Sequence, residues 1–185
     1  MFEAGRKGPI FLDIDMTNTT DIAVLDGGKL LTFSHSDLLL YHGVAFPGGV
    51  AHAYKVMQRA FPLLDNGNPP ERREIEIRTA FRGQGGRDAF ELVTRANSEG
   101  RYHVDAALER TERGSTLARY YFALSYRGTV ACVQVREGVV REEFVFLEHK
   151  PDRTPEETER LEVLKAEMSA KLISAPCADV YDVCP

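Results

Sequence analysis

Apolar and polar residues alternate along many short stretches of the chain, and this alternation predicts β-strands with one buried face. In residues 9–16, for example, Ile10, Leu12 and Ile14 lie on the same face of the predicted strand. The stretches that share the pattern are residues 9–16, 21–26, 30–33, 74–81, 101–108, 118–126, 129–135 and 142–149. Glycines between neighbouring stretches, such as Gly27-Gly28, predict hairpin turns.

Apolar residues at helical spacing predict four helices between and after these strands. Ser36 is expected to cap a short first helix, and a longer helix is predicted over residues 49–64. A third helix is predicted over residues 87–100, with Gly100 as its stop, after a tight glycine turn. The last helix begins at residues 154–157, which form a capping box with proline at the first helical position.

The order of these elements predicts an α+β fold. We expect a mixed, mostly antiparallel sheet with helices packed against it, plus a C-terminal helix, because hairpins are too frequent for a doubly wound parallel sheet. Residues 1–150 are expected to form one α+β domain, and residues 151–185 are expected to add a helix and a tail.

Composition and charge exclude several classes of protein. The chain has 23 basic and 28 acidic residues and a net charge of −5, so a general nucleic-acid binder is not expected. No apolar run approaches the ~18 residues of a membrane span. Residues 1–8 are not followed by the apolar segment of a signal peptide. We therefore expect a cytoplasmic protein without a membrane or nucleic-acid partner.

Three cysteines give weak signals for redox chemistry or metal binding. Cys132 lies in the apolar run 129–135 and is predicted to be a buried core thiol. Cys177 and Cys184 lie near the C-terminus without a second pair or a nearby histidine, which argues against zinc. We expect two free thiols there, and the alternatives are a disulfide between them or an intermolecular contact.

Asp13 and Asp15 form a D-x-D-x-T pattern after an apolar strand. The pattern resembles the first motif of haloacid-dehalogenase-type phosphatases, in which the first aspartate attacks phosphorus and the second is an acid/base. Two carboxylates on one face of a strand are also suitable ligands for magnesium. The late acidic pair of that family does not follow, so we favour the alternative that both residues lie on the solvent face of an antiparallel strand.

Two glycine-containing segments precede helices and are candidate ligand sites. Residues 41–48 place His42 near a helix N-terminus, where free N–H groups and the helix dipole attract ligands. Residues 81–88 place Arg82 and Arg87 beside glycines that could cradle an anion. The alternative for the second segment is a tight turn in which Asp88 caps its own helix or complements its charge.

Together the two segments resemble the E-subunit family of formylmethanofuran dehydrogenase and its stand-alone relatives. That family has a loop F-H-G-H-x-C-P-G before a helix, then a strand, a C-x-x-D-A turn and a second helix. The similar order extends over roughly residues 35–147, and the residues that agree are His42, Gly43, Pro47, Gly48, Asp88 and Ala89. The resemblance implies an accessory or binding role in one-carbon or redox metabolism, and a homodimer.

The chain departs from this family at the residues that would bind metal. The family's second histidine and its two cysteines are replaced here by Val44, Phe46 and Gly85. Only His42 remains of that set, and one histidine cannot hold zinc. The resemblance therefore implies a degenerate metal site.

A site for zinc or another divalent metal would have to recruit His35 and His52 beside His42. The predicted cap at Ser36 places His35 outside the first helix. His52 shares its helix face with Lys55 and Arg59, so we expect it to be exposed to solvent.

Three interpretations of the function remain open. The first is a binding or accessory protein similar to this E-subunit family, which holds a small anionic ligand near His42, Gly43, Pro47, Gly48, Arg82, Arg87 and Asp88. The second is an enzyme in which His42 and Asp88 act as an acid/base pair. The third, which we favour least, is a magnesium-dependent phosphatase acting through Asp13 and Asp15. Whether His42 and Asp88 share a pocket is not determined by the sequence.

Overall fold

The computed structural model describes residues 21–43 and 45–184, and these residues form an α+β fold as predicted. The strands are β1 (Ile22–Asp26), β2 (Lys29–Phe33), β3 (Glu76–Thr79), β4 (Tyr102–Val104), β5 (Tyr121–Tyr126), β6 (Thr129–Val135) and β7 (Tyr181–Val183). The helices are α1 (His35–His42), α2 (Pro47–Leu64), α3 (Gln84–Thr94), α4 (Gly114–Leu117), α5 (Glu142–His149), α6 (Pro155–Ser174) and α7 (Cys177–Val180). The predicted strand at residues 9–16, with Asp13 and Asp15, lies outside the described residues.

The main sheet has five strands in the order β4-β3-β5-β6-β7. The pair β3–β4 is parallel and the other neighbouring pairs are antiparallel, so the predicted mixed, mostly antiparallel sheet is confirmed. The strands β1 and β2 form a separate hairpin, whose glycine turn at Gly27-Gly28 is the predicted one. In this hairpin Ile22 and Val24 are buried against the core.

The helix α2 lies at the centre of the fold and packs against α3, α6 and the strands β5 and β6. Its predicted apolar stripe is buried throughout: Val50, Ala53, Tyr54, Met57, Ala60, Phe61 and Leu64. The same core includes Met168 and Leu172 of α6 and Tyr181 of β7, so the C-terminal elements pack on the body of the fold. The domain boundary at residue 150 stays a prediction.

The first helix begins one residue after Ser34, and the predicted cap at Ser36 was wrong. The Ser34 hydroxyl accepts a hydrogen bond from the Asp37 N–H at 3.2 Å. In return the Asp37 carboxylate accepts one from the Ser34 N–H at 2.8 Å. This reciprocal capping box is more stable than a lone serine cap, because it satisfies two backbone donors. His35 is therefore the first residue of α1 and not a residue outside it.

The predicted strand at residues 142–149 is the helix α5. Four apolar residues in a row, 144–147, do not distinguish a strand from a buried helix by their pattern. Glu142 and Glu143 in the first turn favour the helix through its dipole. The predicted strand at residues 101–108 is also shorter than expected, because a 3-10 turn at Ala106–Leu108 follows β4.

The segment predicted as a tight glycine turn is the first turn of α3. The helix begins at Gln84 and includes Gly85 and Gly86. It ends at Thr94 and is followed by Arg95 in the left-handed conformation with a φ of 58°, so the predicted stop at Gly100 was also wrong. No helix among the described residues has the length and apolar character to span a membrane.

Candidate functional site

His42 and Asp88 are hydrogen-bonded to each other, which the sequence had left open. His42 is the last residue of α1, Asp88 lies in α3, and the distance from His42 Nδ1 to Asp88 Oδ2 is 2.8 Å. The His42 side chain is only 5% exposed and that of Asp88 is 26% exposed. The Asp88 carboxylate also binds the Arg87 guanidinium at 3.0 Å. The pair therefore joins the end of one helix to the start of another.

The hydrogen bond to Asp88 determines the tautomer of a neutral His42. A carboxylate only accepts, so Nδ1 carries the proton and Nε2 has the free lone pair. Within the described residues the buried His42 Nε2 has no hydrogen-bond partner. A carboxylate that orients a histidine in this way is the arrangement used to hold a general base.

A cavity of about 330 Å³ opens where the N-terminal ends of α2 and α3 meet. Phe46 of the first glycine-containing segment and Gly85 of the second both line it, so the two segments do face one cavity. Its apolar wall is formed by four aromatic residues: Phe46, Phe81, Tyr120 and Phe144. A volume of this size lies at the lower end of the range for small-molecule sites.

Glycine is required where the two helices approach each other. A Cβ built on Gly85 would lie 2.6 Å from the backbone oxygen of Phe46. A Cβ on Gly49 would lie 3.2 Å from the Gly86 nitrogen. These glycines serve the close packing of α2 on α3, and the predicted tight turn is not their role.

His52 forms part of the cavity floor and has no exposed surface. Its Nδ1 lies 2.8 Å from the Tyr181 hydroxyl of β7, and its ring centroid lies 4.7 Å from that of Tyr120. Burial lowers the pKa of His52 to about 3, so the ring is neutral at physiological pH. Among the described residues its Nε2 has no partner. A neutral imidazole with one unpartnered, buried nitrogen thus lies at the cavity floor.

The sequence prediction for His52 was wrong, because its neighbours on the helix are buried as well. Lys55 is only 5% exposed, and Arg59 is half-buried and donates from Nε to the Tyr181 backbone oxygen at 3.3 Å. The signal that favours burial is the run of small and apolar residues from 48 to 53, which surrounds His52 on every side of the helix. Tyr181, also missed, lies 129 residues away along the chain.

The rim of the cavity is charged. Arg82 and Arg119 line it, and both donate to the same oxygen of Glu109, each at 3.2 Å. Two guanidinium groups therefore share one carboxylate. His149 accepts from Arg119 at Nε2, at 3.3 Å, while its Nδ1 donates to a backbone oxygen of its own helix.

Most of the predicted ligand-binding residues do not line this cavity. Arg82 does, whereas His42, Arg87 and Asp88 are not part of its lining, and the ring centroid of His42 lies 6.1 Å from that of Phe46. The remaining predicted residues, Gly43, Pro47 and Gly48, are likewise not part of its lining. Phe46 therefore contacts both the His42–Asp88 pair and the cavity.

The three histidines considered as metal ligands do not come together. No group of three or more histidine, cysteine, aspartate or glutamate residues suited to a metal occurs in residues 21–43 and 45–184. His35 packs against Tyr54, with a centroid distance of 5.5 Å. Burial, and to a smaller extent the charge of Lys55, lower the pKa of His35. His42 faces Asp88 and His52 faces Tyr181, so each has its own surroundings.

No protein-family model matches this chain, and no curated protein matches it either.

A second cavity of about 480 Å³ is lined by Lys55, Phe61 and Cys177, among others. It is larger, but its lining includes no histidine and no arginine. Burial lowers the pKa of Lys55, which forms no ion pair within the part of the chain that the structure describes. The three cysteines are free thiols, so the alternative of a bond between Cys177 and Cys184 is not realised.

Proposed function

We propose that this protein binds a small organic anion with an apolar, aromatic body in the 330 Å³ cavity at the start of α2 and α3. The observation that carries the proposal is His52. A completely buried imidazole whose Nε2 lacks a partner among the described residues is costly for a protein to keep. A ligand that hydrogen-bonds to Nε2 removes that cost.

Two helix N-termini favour a negative charge at this place. Both α2 and α3 begin without a side-chain cap and without an acidic residue in the first turn. Their first N–H groups therefore have no partner within the helix, and their dipoles add positive potential. Arg82 and Arg119 line the cavity too, where both bind Glu109, and Glu148 is the acidic residue of the lining. A carboxylate or phosphate at the rim would satisfy these donors.

The aromatic wall defines the other end of the ligand. Phe46, Phe81 and Tyr120 offer ring faces and edges that suit a flat apolar group. His52 at the floor can donate from Nε2 when the Tyr181 hydroxyl donates to Nδ1. The ligand class that combines these features is an aromatic carboxylate with a hydrogen-bond acceptor on its ring.

Isothermal titration calorimetry with benzoate and 4-hydroxybenzoate tests the proposal, with the neutral isostere benzamide as the matched ligand control. We expect one saturable site for the acids and about tenfold or greater weakening for benzamide, the loss typical of a charge-assisted contact. Arg82→Gln should weaken benzoate to a similar extent. Equal binding of benzoate and benzamide, or no binding of either acid, would contradict the proposal.

A second candidate function is general acid/base catalysis by His42 and Asp88, which the 2.8 Å hydrogen bond favours. The pair does not line the cavity, so catalysis on a ligand bound there would require the ligand or Phe46, which contacts His42, to move. Hydrolysis of 4-nitrophenyl acetate provides a simple test. A rate that falls with His42→Gln and with Asp88→Asn, but not with His52→Asn, would favour this function over binding alone.

We further propose that the chain acts in the cytoplasm as an accessory protein of one-carbon or redox metabolism, similar to the E-subunit family of formylmethanofuran dehydrogenase. What supports this is that the two segments carrying the resemblance, residues 41–48 and 81–88, lie side by side at one cavity. The homodimer implied by that resemblance is part of the proposal. Leu40, two residues before His42, is 84% exposed and offers apolar surface for a dimer interface. Light scattering of wild type and Leu40→Glu measures the oligomeric state.

A further inference from the structure

Cys132 of β6 lies opposite Cys184, the residue that directly follows β7. The strands β6 and β7 are antiparallel with Val133 opposite Val183, so the next pair in register is Cys132 and Cys184. The Cys184 N–H donates to the Cys132 backbone oxygen at 2.8 Å, which continues the ladder to this pair. Both thiols are therefore on the same face of the sheet.

This face is turned away from the core. Cys132 alternates along β6 with the buried residues Ala131 and Val133, and it is itself half-buried, as is Cys184. The prediction of a buried core thiol at Cys132 was therefore wrong. Because both thiols are partly exposed, small oxidants and reductants can reach them.

The spacing suits a disulfide bond. The Cα atoms of a hydrogen-bonded antiparallel pair are about 5.5 Å apart. Disulfides span Cα distances of roughly 4.4–6.8 Å. The strand β7 is at the edge of the sheet and ends at Val183, so Cys184 can adjust to the bond without disturbing a further strand.

Cationic groups lie near the pair. The Arg110 guanidinium lies 4.3 Å from the centroid of the Tyr121 ring, on the strand next to β6. Burial, together with the neighbouring Cys132, raises the pKa of Cys184, while Arg110 and Arg113 act in the opposite direction. The arginines reduce this rise in pKa without reversing it, so the reactive thiolate of Cys184 forms at a higher pH than that of an ordinary cysteine.

We propose that Cys132 and Cys184 are a reversible dithiol–disulfide pair, oxidised by hydrogen peroxide or another hydroperoxide. The thiolate of one cysteine attacks a peroxide oxygen, the O–O bond breaks, and a sulfenic acid and one water form after proton transfer. The second thiol attacks that sulfur, the S–O bond breaks, and a second water leaves. Two thiols and one hydrogen peroxide thus give one disulfide and two waters, with two electrons passing to the peroxide.

Oxidation would restrain β7, the strand that carries Tyr181, the hydrogen-bond partner of His52. Tyr181 lies three residues before Cys184, in β7, and its hydroxyl contacts His52 Nδ1 at the cavity floor. A covalent link between β6 and Cys184 restrains the end of β7. The thiol pair can be oxidised whether or not the cavity binds an anion, so its chemistry is independent of the proposed ligand.

Intact mass spectrometry of the reduced full-length protein after treatment with hydrogen peroxide tests the proposal. We expect a monomer lighter by about 2 Da, with Cys132 and Cys184 joined in the non-reduced peptide map and thiols restored by dithiothreitol. Cys177→Ser is the matched control and should still lose this mass. Neither Cys132→Ser nor Cys184→Ser should lose this mass, because each lacks one partner of the proposed bond.

Three results would overturn the proposal: a disulfide that includes Cys177, a cross-linked dimer as the main product, or oxidation of single cysteines beyond sulfenic acid without a bond. Hydrogen exchange provides a second measurement that needs no variant. Amides of residues 181–184 should exchange several-fold more slowly after oxidation, and unchanged exchange in a protein shown to be oxidised would contradict the restraint of β7.

Discussion

His52 Nδ1 and the Tyr181 hydroxyl are 2.8 Å apart, and this contact joins α2 to the last strand of the main sheet beneath the cavity. Both side chains are completely buried, and burial raises the pKa of Tyr181 well above its ordinary value. The hydroxyl therefore stays protonated at physiological pH and can bind the imidazole. The contact fixes the ring and leaves Nε2 as the nitrogen without a partner among the described residues.

We expect Tyr181→Phe to lower the free energy of unfolding by about 1–3 kcal/mol, because it leaves the buried His52 Nδ1 without a partner. Urea denaturation measures the change. Tyr126→Phe is the matched control, since the Tyr126 hydroxyl accepts a longer bond, 3.3 Å, from the Glu71 N–H at a partly buried place. Equal losses in the two variants would contradict the role given to Tyr181.

His52 should make the protein sensitive to acid. Its pKa is about 3 in the folded chain and 6.5 ordinarily, so below pH 6.5 the unfolded chain binds the proton more readily. Stability is therefore complete above about pH 6.5 and is lost as the pH falls towards 3, by about 1.4 kcal/mol for each pH unit. Urea titrations from pH 7 to pH 4 on wild type and His52→Asn measure the difference. Parallel pH profiles would show that His52 is not a buried neutral imidazole.

Gly85 and Gly48 both lie in the first turn of a helix but meet different neighbours. A Cβ at Gly85 meets the rigid backbone oxygen of Phe46, whereas a Cβ at Gly48 meets the flexible tip of the Met168 side chain. We expect Gly85→Ala to destabilise the fold by about 1–3 kcal/mol despite its better helix propensity. Gly48→Ala should be close to neutral. Thermal unfolding of both variants tests this, and the reverse order would contradict the packing of α2 on α3.

Lys55 and Lys165 are both buried lysines, and they differ in their partners. Lys165 binds Glu162 at 2.8 Å and lies 4.9 Å from the centroid of the Phe46 ring. Burial lowers the pKa of Lys55, for which the described residues provide no carboxylate. Lys55→Met should therefore raise the free energy of unfolding by about 1 kcal/mol or more at pH 7, and Lys165→Met should not.

The difference in free energy of unfolding between Lys55→Met and wild type should decrease as the pH rises. The folded wild type releases the Lys55 proton at a lower pH than the unfolded chain does, so wild-type stability increases once the pH exceeds the folded pKa. Urea denaturation at pH 7 and pH 10 measures both effects. A variant less stable than wild type at pH 7 would show that Lys55 stabilises the fold, as its Nζ 5.8 Å from the centroid of the Tyr54 ring could do.

Local signals in the sequence predicted much of the fold. The capping box at Thr154, the proline after it and the apolar stripe of α6 are all encoded within one helix, and that helix was predicted correctly. The helix at residues 142–149 was predicted as a strand, because four apolar residues in a row fit either a strand or a helix. The choice there is made by packing against the rest of the fold.

The site was only partly predictable, since its contacts join distant parts of the chain. His42 and Asp88 were both chosen from local patterns, but their 2.8 Å contact depends on how α1 packs against α3. The prediction that His52 is exposed was wrong because it rests on Lys55 and Arg59, which are usually exposed residue types. Here the stem of Lys55 and the Arg59–Tyr181 contact bury that face of α2.

The most direct test of the account is an NMR titration of the imidazole nitrogens. The protein has 5 histidines, and the His52 signals can be assigned as those lost in His52→Asn, in which the shorter amide can still reach the Tyr181 hydroxyl. We predict that His52 is neutral at pH 7 with its proton on Nε2, and that this nitrogen shifts on saturation with 4-hydroxybenzoate. A proton on Nδ1, or an Nε2 signal unchanged by the ligand while other histidines respond, would contradict the claim that His52 anchors a ligand in this cavity.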